Sequence, residues 1–262
     1  MKPSTRRRLF RAVLYVIFLV AVAALVIVAD WETIATNFLD LGVAAEQFPT
    51  IITTAAKNVV IYTFIAFVGG LILGLTLALM KLSPVAPYRW VATAYIETFR
   101  GLPALLVIFG FAYAVPIAFT EWNPPGGSTG AGLIALIVVS AAYIAETIRA
   151  GIEAVPKGQV EAARSLGMRP SWTMISVVLP QAFRIITPPM TNELVIIIKD
   201  TSLLFIAGMA LGDRELTTFA RDAVSQHANS TPLVMAALLY LVITLPLTRL
   251  VARLERHNQR SR

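Results

Sequence analysis

Residues 190–211 read MTNELVIIIKDTSLLFIAGMAL, a run apolar enough for a bilayer interior yet carrying Lys199 and Asp200 near its middle. A charge at mid-bilayer costs about 3 kcal/mol or more, and such residues face a polar interior or a solute pathway. Neighbours on a helix point roughly 100° apart, so these two do not pair with each other. Asn192, Ile196, Lys199 and Leu203 form one stripe, and Glu193, Ile197, Asp200 and Leu204 form the next. Thr201 and Ser202 add hydroxyls. Donors and acceptors this close together suit a zwitterionic solute. The alternative is structural, with Lys199 neutralising a carboxylate from another helix.

Two Glu-x-x-Arg pairs follow the same logic, because residues three apart meet on a helix. Glu97 and Arg100 stand at the inner end of one apolar run, and Glu146 and Arg149, extended by Glu153, at the inner end of the next. Each pair serves either gating or neutralisation of charge near the membrane surface. Between apolar runs lies a polar, basic stretch, Tyr143 to Pro180, with Arg149, Lys157, Arg164 and Arg169. Its basic character places it on the cytoplasmic side. Good helix formers from Gln159 to Leu166 predict a short helix that Gly167 stops. Ala162 and Ala163 give it a low-relief surface that another protein can approach closely. Ser171 is expected to cap a second short helix.

The elements that position these residues follow from composition. The 262 residues are 57% hydrophobic and only 14% charged. Several apolar runs reach the roughly 20 residues that cross a bilayer as helix, and open strands cannot satisfy their backbone in lipid. The chain therefore reads as an all-α polytopic membrane protein. A first run, 9–29, follows Lys2, Arg6, Arg7, Arg8 and Arg11. It exceeds the apolar core of a signal peptide, so it reads as a retained anchor helix. Further spans are expected near 50–80, 90–119, 131–150, 190–211 and 232–250, with Thr187-Pro188-Pro189 breaking the chain before the fifth. Six spans put both termini inside, and Arg249, Arg253, Arg256, Arg260 and Arg262 agree. Gly70 and Gly74 form a small-xxx-small face for helix contact. The piece RELTTFARDAVSQ, from Arg214, lies outside and either docks a partner or is a solvated helix. His227 and His257 read as solvated loop residues. The net charge of +7 reports topology and lipid contact, not nucleic-acid binding. With no cysteine, thiolate metal sites and disulfides are excluded.

Glu161-Ala162-Ala163, Gly167 and Leu179-Pro180 resemble the EAA loop of ABC importer permeases, with Val177 where that pattern has Ile. Arg100-Gly101-Leu102-Pro103 is similar to the "RGTPLL" signature of the polar-amino-acid branch, with Leu102 for Thr and Ala104 for Leu, and Glu97 fits its acidic position. Asn192-Glu193 and Lys199-Asp200-Thr201-Ser202 resemble that branch's corresponding helix. The resemblance implies a type I ABC importer transmembrane domain in the inner cell membrane: a five-helix core over 50–253 with the coupling loop at 150–183, preceded by the anchor helix and external segment at 1–49 and followed by a basic cytoplasmic tail at 254–262. It implies as partners ABC ATPase subunits, a second permease subunit (copy or paralogue), an external solute-binding protein and a polar amino acid such as glutamine, glutamate, arginine or histidine. No phosphate-binding G-x-x-x-x-G-K-[ST] motif is present, so no cofactor is expected on this chain; ATP and Mg belong to the ATPase, and the chain is not itself an enzyme. The other readings are an ABC permease for another small solute, an ion-coupled secondary transporter, or a membrane scaffold or sensor without transport.

Overall fold

The computed structural model describes residues 3–260, with side chains at residue 7 and over 10–254. The terminal charges at Lys2, Arg6, Arg8, Arg256, Arg260 and Arg262, and His257, lie outside the described side chains. The described residues form helices and connecting turns with no strand. The helices are α1 Pro3–Val28, α2 Trp31–Phe38, α3 Leu41–Gln47, α4 Lys57–Leu82, α5 Ala86–Gly101, α6 Ala104–Phe109, α7 Val115–Ala118, α8 Gly127–Glu153, α9 Lys157–Ser165, α10 Pro170–Thr173, α11 Leu179–Asp200, α12 Leu216–His227 and α13 Thr231–Arg260. A wider π-helical turn, Ile51–Ala56, leads into α4.

Four stretches among the described residues are long and apolar enough to cross a membrane: Phe10–Val28, Ile51–Leu82, Gly127–Glu153 and Thr231–Leu254. Buried shares of 61% for the α8 stretch, 33% for α4, 17% for α13 and 0% for α1 order them from centre to periphery. The α4–α8 contact is close because Gly70 and Gly74 remove side chains at the crossing. A Cβ at Gly70 would collide with Ser140 Oγ, and one at Gly74 would sit 2.8 Å from Ile144 Cγ2 and 2.9 Å from the Ala141 carbonyl. The space is filled by buried Ala66, Ala135, Ala141, Ile144 and Ala145, as expected where backbone approach replaces the hydrophobic drive between lipid-bathed helices. Gly151 does the same for α8 against Ile186 of α11.

The expected third span is not continuous. It is α5 and the α6–α7 segment, bent by 106°, a fifth crossing if counted as one broken span. Pro103 lacks an N–H and holds Leu102 extended at φ −93°, ψ 140°, which ends α5. The expected fifth span is corrected in the opposite direction. Pro188 and Pro189 do not break the chain but lie inside α11. There the Thr187 and Thr191 hydroxyls donate to the carbonyls of Phe183 and Thr187, at 2.7 and 2.8 Å, and buried Pro188 packs within the bundle. Neighbouring helices and such hydroxyl bonds are what make proline tolerable in a membrane helix. In consequence Lys199 and Asp200 stand at the C-terminal end of α11. A 3-10 turn, Thr201–Ala207, follows and ends at Gly208 with φ +75°.

Candidate functional site

Along α11, Glu193 and Asp200 are seven residues apart and share a face. Both line a cavity of about 220 Å³ with Leu102, Leu136, Ser140 and Tyr143. A second cavity, about 400 Å³, shares Tyr143 and Glu193 and adds Arg100, Glu146, Ala150 and Pro189. The Arg100 guanidinium lies 5.7 Å from the centre of the Tyr143 ring. A charged stripe thus runs from Asp200 past Glu193 to Arg100, walled by apolar side chains of α6 and α8.

The remaining pathway candidates sit elsewhere. Asn192 and Lys199 are exposed on other faces of α11, and no ion pair to Lys199 forms among the described residues, so the neutralising-pair reading is not realised. Buried Thr201 donates to the Ile198 carbonyl at 2.7 Å and Ser202 to that of Lys199 at 2.6 Å, so both hydroxyls close the helix end. Glu193 and Asp200, seven apart, lie on one face, whereas Asn192 and Lys199 are each rotated about 100° from them.

Glu97 and Arg100 do not pair. Glu97 lies 4.0 Å from Lys81, while Arg100 turns to Tyr143. Glu146 and Arg149 do pair, at 2.5 Å, and Arg149 also binds Glu153. The residue missed is Lys81, whose Nζ donates to Glu146 at 3.2 Å. With 65 residues between them, no local spacing could give that pair; the α4–α8 register makes it. Tyr143 was legible, since it precedes Glu146 by three residues and so shares its face.

On the basic stretch, α9 exposes Glu161 and Ala162 and turns Ala163 inward. Val160 packs beneath it on Val155, Val178 and Ala182. Gly167 adopts φ +82°, and its N–H and that of Met168 reach back to the carbonyls of Arg164 (3.0 Å) and Ala163 (3.1 Å). Those two bonds satisfy the helix's last carbonyls and favour glycine at the turn. Leu166, 85% exposed, and Trp172, 59% exposed, flank it. Ser171 is not the cap of α10: Arg169 holds that position, without a side-chain bond, and Pro170 begins the helix. Leu179 and Pro180 open α11.

At the other end of the bundle, α12 is not fully solvated: one face is buried and Arg221, Ser225 and Gln226 stay exposed. Leu216 and Ala220 are buried in one cluster with Ala236 of α13, and Ala223 is buried as well. Glu215 caps it from a fully buried position. Its carboxylate accepts from the Thr217 and Thr218 N–H groups and the Thr218 hydroxyl, each at 2.6 Å, and from Tyr240 OH at 3.0 Å. Burial pushes this carboxyl above its ordinary range despite those donors. His227 is not a loose loop residue; it ends α12 within 3.3 Å of Gln47 and 3.6 Å of Glu46.

Residues 70–260 match the family described as the binding-protein-dependent transport system inner membrane component. The "Probable glutamine ABC transporter permease protein" of Bacillus subtilis (strain 168) is 38% identical over 203 residues, covering 75% of this chain and 88% of that one. The arginine transport system permease protein of the same organism is 36% identical over 222 residues, covering 83% and 96%. The crystal structure of an amino acid ABC transporter with histidines superposes with a TM-score of 0.74 at 36% identity, covering 83% of this chain and 98% of that chain.

Proposed function

Because the chain belongs to the family of binding-protein-dependent transport system inner membrane components, and is a permease subunit of the type I ABC importer kind, we propose that it translocates a polar amino acid through the path lined by Glu193, Asp200 and Arg100. The observation that carries this reading is two neighbouring cavities that share Tyr143 and Glu193, one reaching Asp200 and the other Arg100 and Glu146, with Glu146 already engaged by Arg149 and Lys81. An amino acid's ammonium fits the carboxylates and its carboxylate fits Arg100, with charges unlike enough to fix its direction. The second carboxylate favours a cationic side chain, so arginine and histidine rank ahead of glutamine and glutamate. A solute-binding protein delivers the amino acid. ATP, with Mg, is bound and hydrolysed on separate ATPase subunits, and their closure is carried into the membrane by α9 through Glu161, Ala162, Ala163 and Gly167. A second permease subunit completes the path, which opens alternately to each side.

The test is uptake of labelled arginine, histidine, glutamine and glutamate by proteoliposomes holding this chain, its ATPase and its binding protein, with and without ATP on the ATPase side. ATP-dependent accumulation is expected, strongest for a cationic substrate, and Asp200→Asn lowers it at least tenfold while ATP hydrolysis persists. Equal uptake without ATP overturns the ATP-driven reading. Unchanged uptake by both Asp200→Asn and Glu193→Gln overturns the assigned path.

A further inference from the structure

The segment joining α1 to α4 is not used by the transport path. Phe10–Val28 is a 19-residue stretch, apolar beyond Arg11, which as helix spans about 28 Å at 1.5 Å each, close to the roughly 30 Å of hydrocarbon in a bilayer. Val28 therefore marks the edge of the hydrocarbon, and Trp31 falls within the headgroup layer, where tryptophan is favoured. The Trp31 indole N–H donates to the Val26 carbonyl at 2.8 Å, folding α2 back onto the end of α1. Asp30 caps α2 and Asp40 caps α3.

The polar edge of this segment is fixed to the turn between α12 and α13. The Asn229 side-chain amide donates to the Thr36 carbonyl at 2.7 Å, the Ser230 N–H to that of Asn37 at 2.8 Å, and the Asp40 N–H to Thr231 Oγ1 at 3.0 Å. The large apolar side chains left open are Trp31, Phe38, Leu39, Leu41 and Phe48, with Leu41 83% exposed, beside exposed polar Glu32, Thr33, Thr36 and Glu46. Trp31 and Phe38 are seven apart and so share one stripe of α2. Between Ala29 and Ala56 stand Asp30, Glu32, Asp40 and Glu46 and no Lys or Arg. Attraction to anionic headgroups is thereby absent, and burial of apolar surface is what remains.

We propose that residues 31–48 form an interfacial collar, its open apolar side chains immersed at the headgroup–acyl boundary of the leaflet at the Val28 end of α1. The collar joins a helix that is 0% buried to the transport core, and its partner is a lipid layer irrespective of headgroup charge.

The chain has no cysteine, so single substitutions Leu41→Cys, Phe38→Cys and Glu32→Cys in the full-length protein each take one nitroxide label. The labelled proteins are placed in nanodiscs of phosphatidylcholine, or of phosphatidylcholine with phosphatidylglycerol. Collisions with lipid-soluble oxygen are compared with collisions with a water-soluble nickel chelate. The expected result is a several-fold higher oxygen-to-nickel ratio at 41 and 38 than at 32, the same in both lipids. A nickel-accessible label at 41 overturns the collar. So does a label at 41 shielded from both reagents, or shielded only when binding protein is added, each of which means a protein covers the surface. Position 41 is open enough that its substitution leaves the fold intact, and unchanged elution of the labelled protein checks this.

Discussion

Replacing Glu215 with alanine tests the packing of the cap over the bundle. The side chain is fully buried and accepts four hydrogen bonds. Loss of an N-cap costs about 1 kcal/mol. The Tyr240 hydroxyl, left without its acceptor in a buried setting, adds about 1–3 kcal/mol. The buried Thr218 N–H is already counted in the lost cap, and the part-buried Thr217 N–H adds little more. Glu215→Ala is therefore expected to destabilise by about 3 kcal/mol, among the larger single-site effects. Tyr240→Phe removes one bond and costs about 1 kcal/mol. In the double mutant the Tyr240 hydroxyl is no longer stranded, so its loss falls short of the sum by about 1 kcal/mol or more. The assay is reversible unfolding in lipid nanodiscs or mild detergent, followed by tryptophan fluorescence. The same assay carries a pH test. Because the folded-state pKa of Glu215 lies above its unfolded value, its contribution is fully present below the unfolded pKa and is lost as pH rises through the folded one. Wild type loses stability across that window and Glu215→Gln does not. A Glu215→Ala protein within 1 kcal/mol of wild type, or strict additivity with Tyr240→Phe, would refute the reasoning.

Gly74→Ala places a methyl 2.9 Å from the Ala141 carbonyl; it is expected to cost about 1–3 kcal/mol in the same assay, whereas Gly158→Ala, with open space around it, should not destabilise. In the ionic cluster, Glu146→Ala removes the shared partner of two half-buried cations, Lys81 17% and Arg149 23% exposed, leaving them only the more exposed Glu97 and Glu153, and lowers the melting temperature clearly. Glu153→Ala removes a 53% exposed partner and costs about 0–1 kcal/mol; equal effects would remove Glu146 from the centre of the cluster. Glu161→Lys is expected to leave membrane insertion and melting unchanged while abolishing ATP-driven uptake, and normal uptake would count against α9 as the point of ATPase contact.

Much of the site was legible because its signals are local. Gly167 as a left-handed stop and the Glu146–Arg149–Glu153 series depend on residues within one or two helical turns. The small faces at Gly70 and Gly74 likewise announced a close crossing before its partner was known. The amphipathic pattern of 214–226 was visible too, but periodicity alone does not say whether a polar stripe meets water or another helix. Pro188 and Pro189 misled for a related reason. Proline's local cost is fixed by chemistry, yet surrounding packing and the Thr187 and Thr191 hydroxyls decide whether a helix survives it.

The sequence alone therefore determined that the chain is helical, bilayer-thick, cysteine-free and built around a basic loop with a glycine stop, because those properties arise from composition and near-neighbour spacing. Only the tertiary structure decided that Lys81 rather than Arg100 meets Glu97, that Glu193 and Asp200 share a cavity while Asn192 and Lys199 do not, and that Glu215 is buried. Each of those facts depends on the register of one helix against another. That register is set by side-chain packing summed over whole interfaces, which no short stretch of sequence contains.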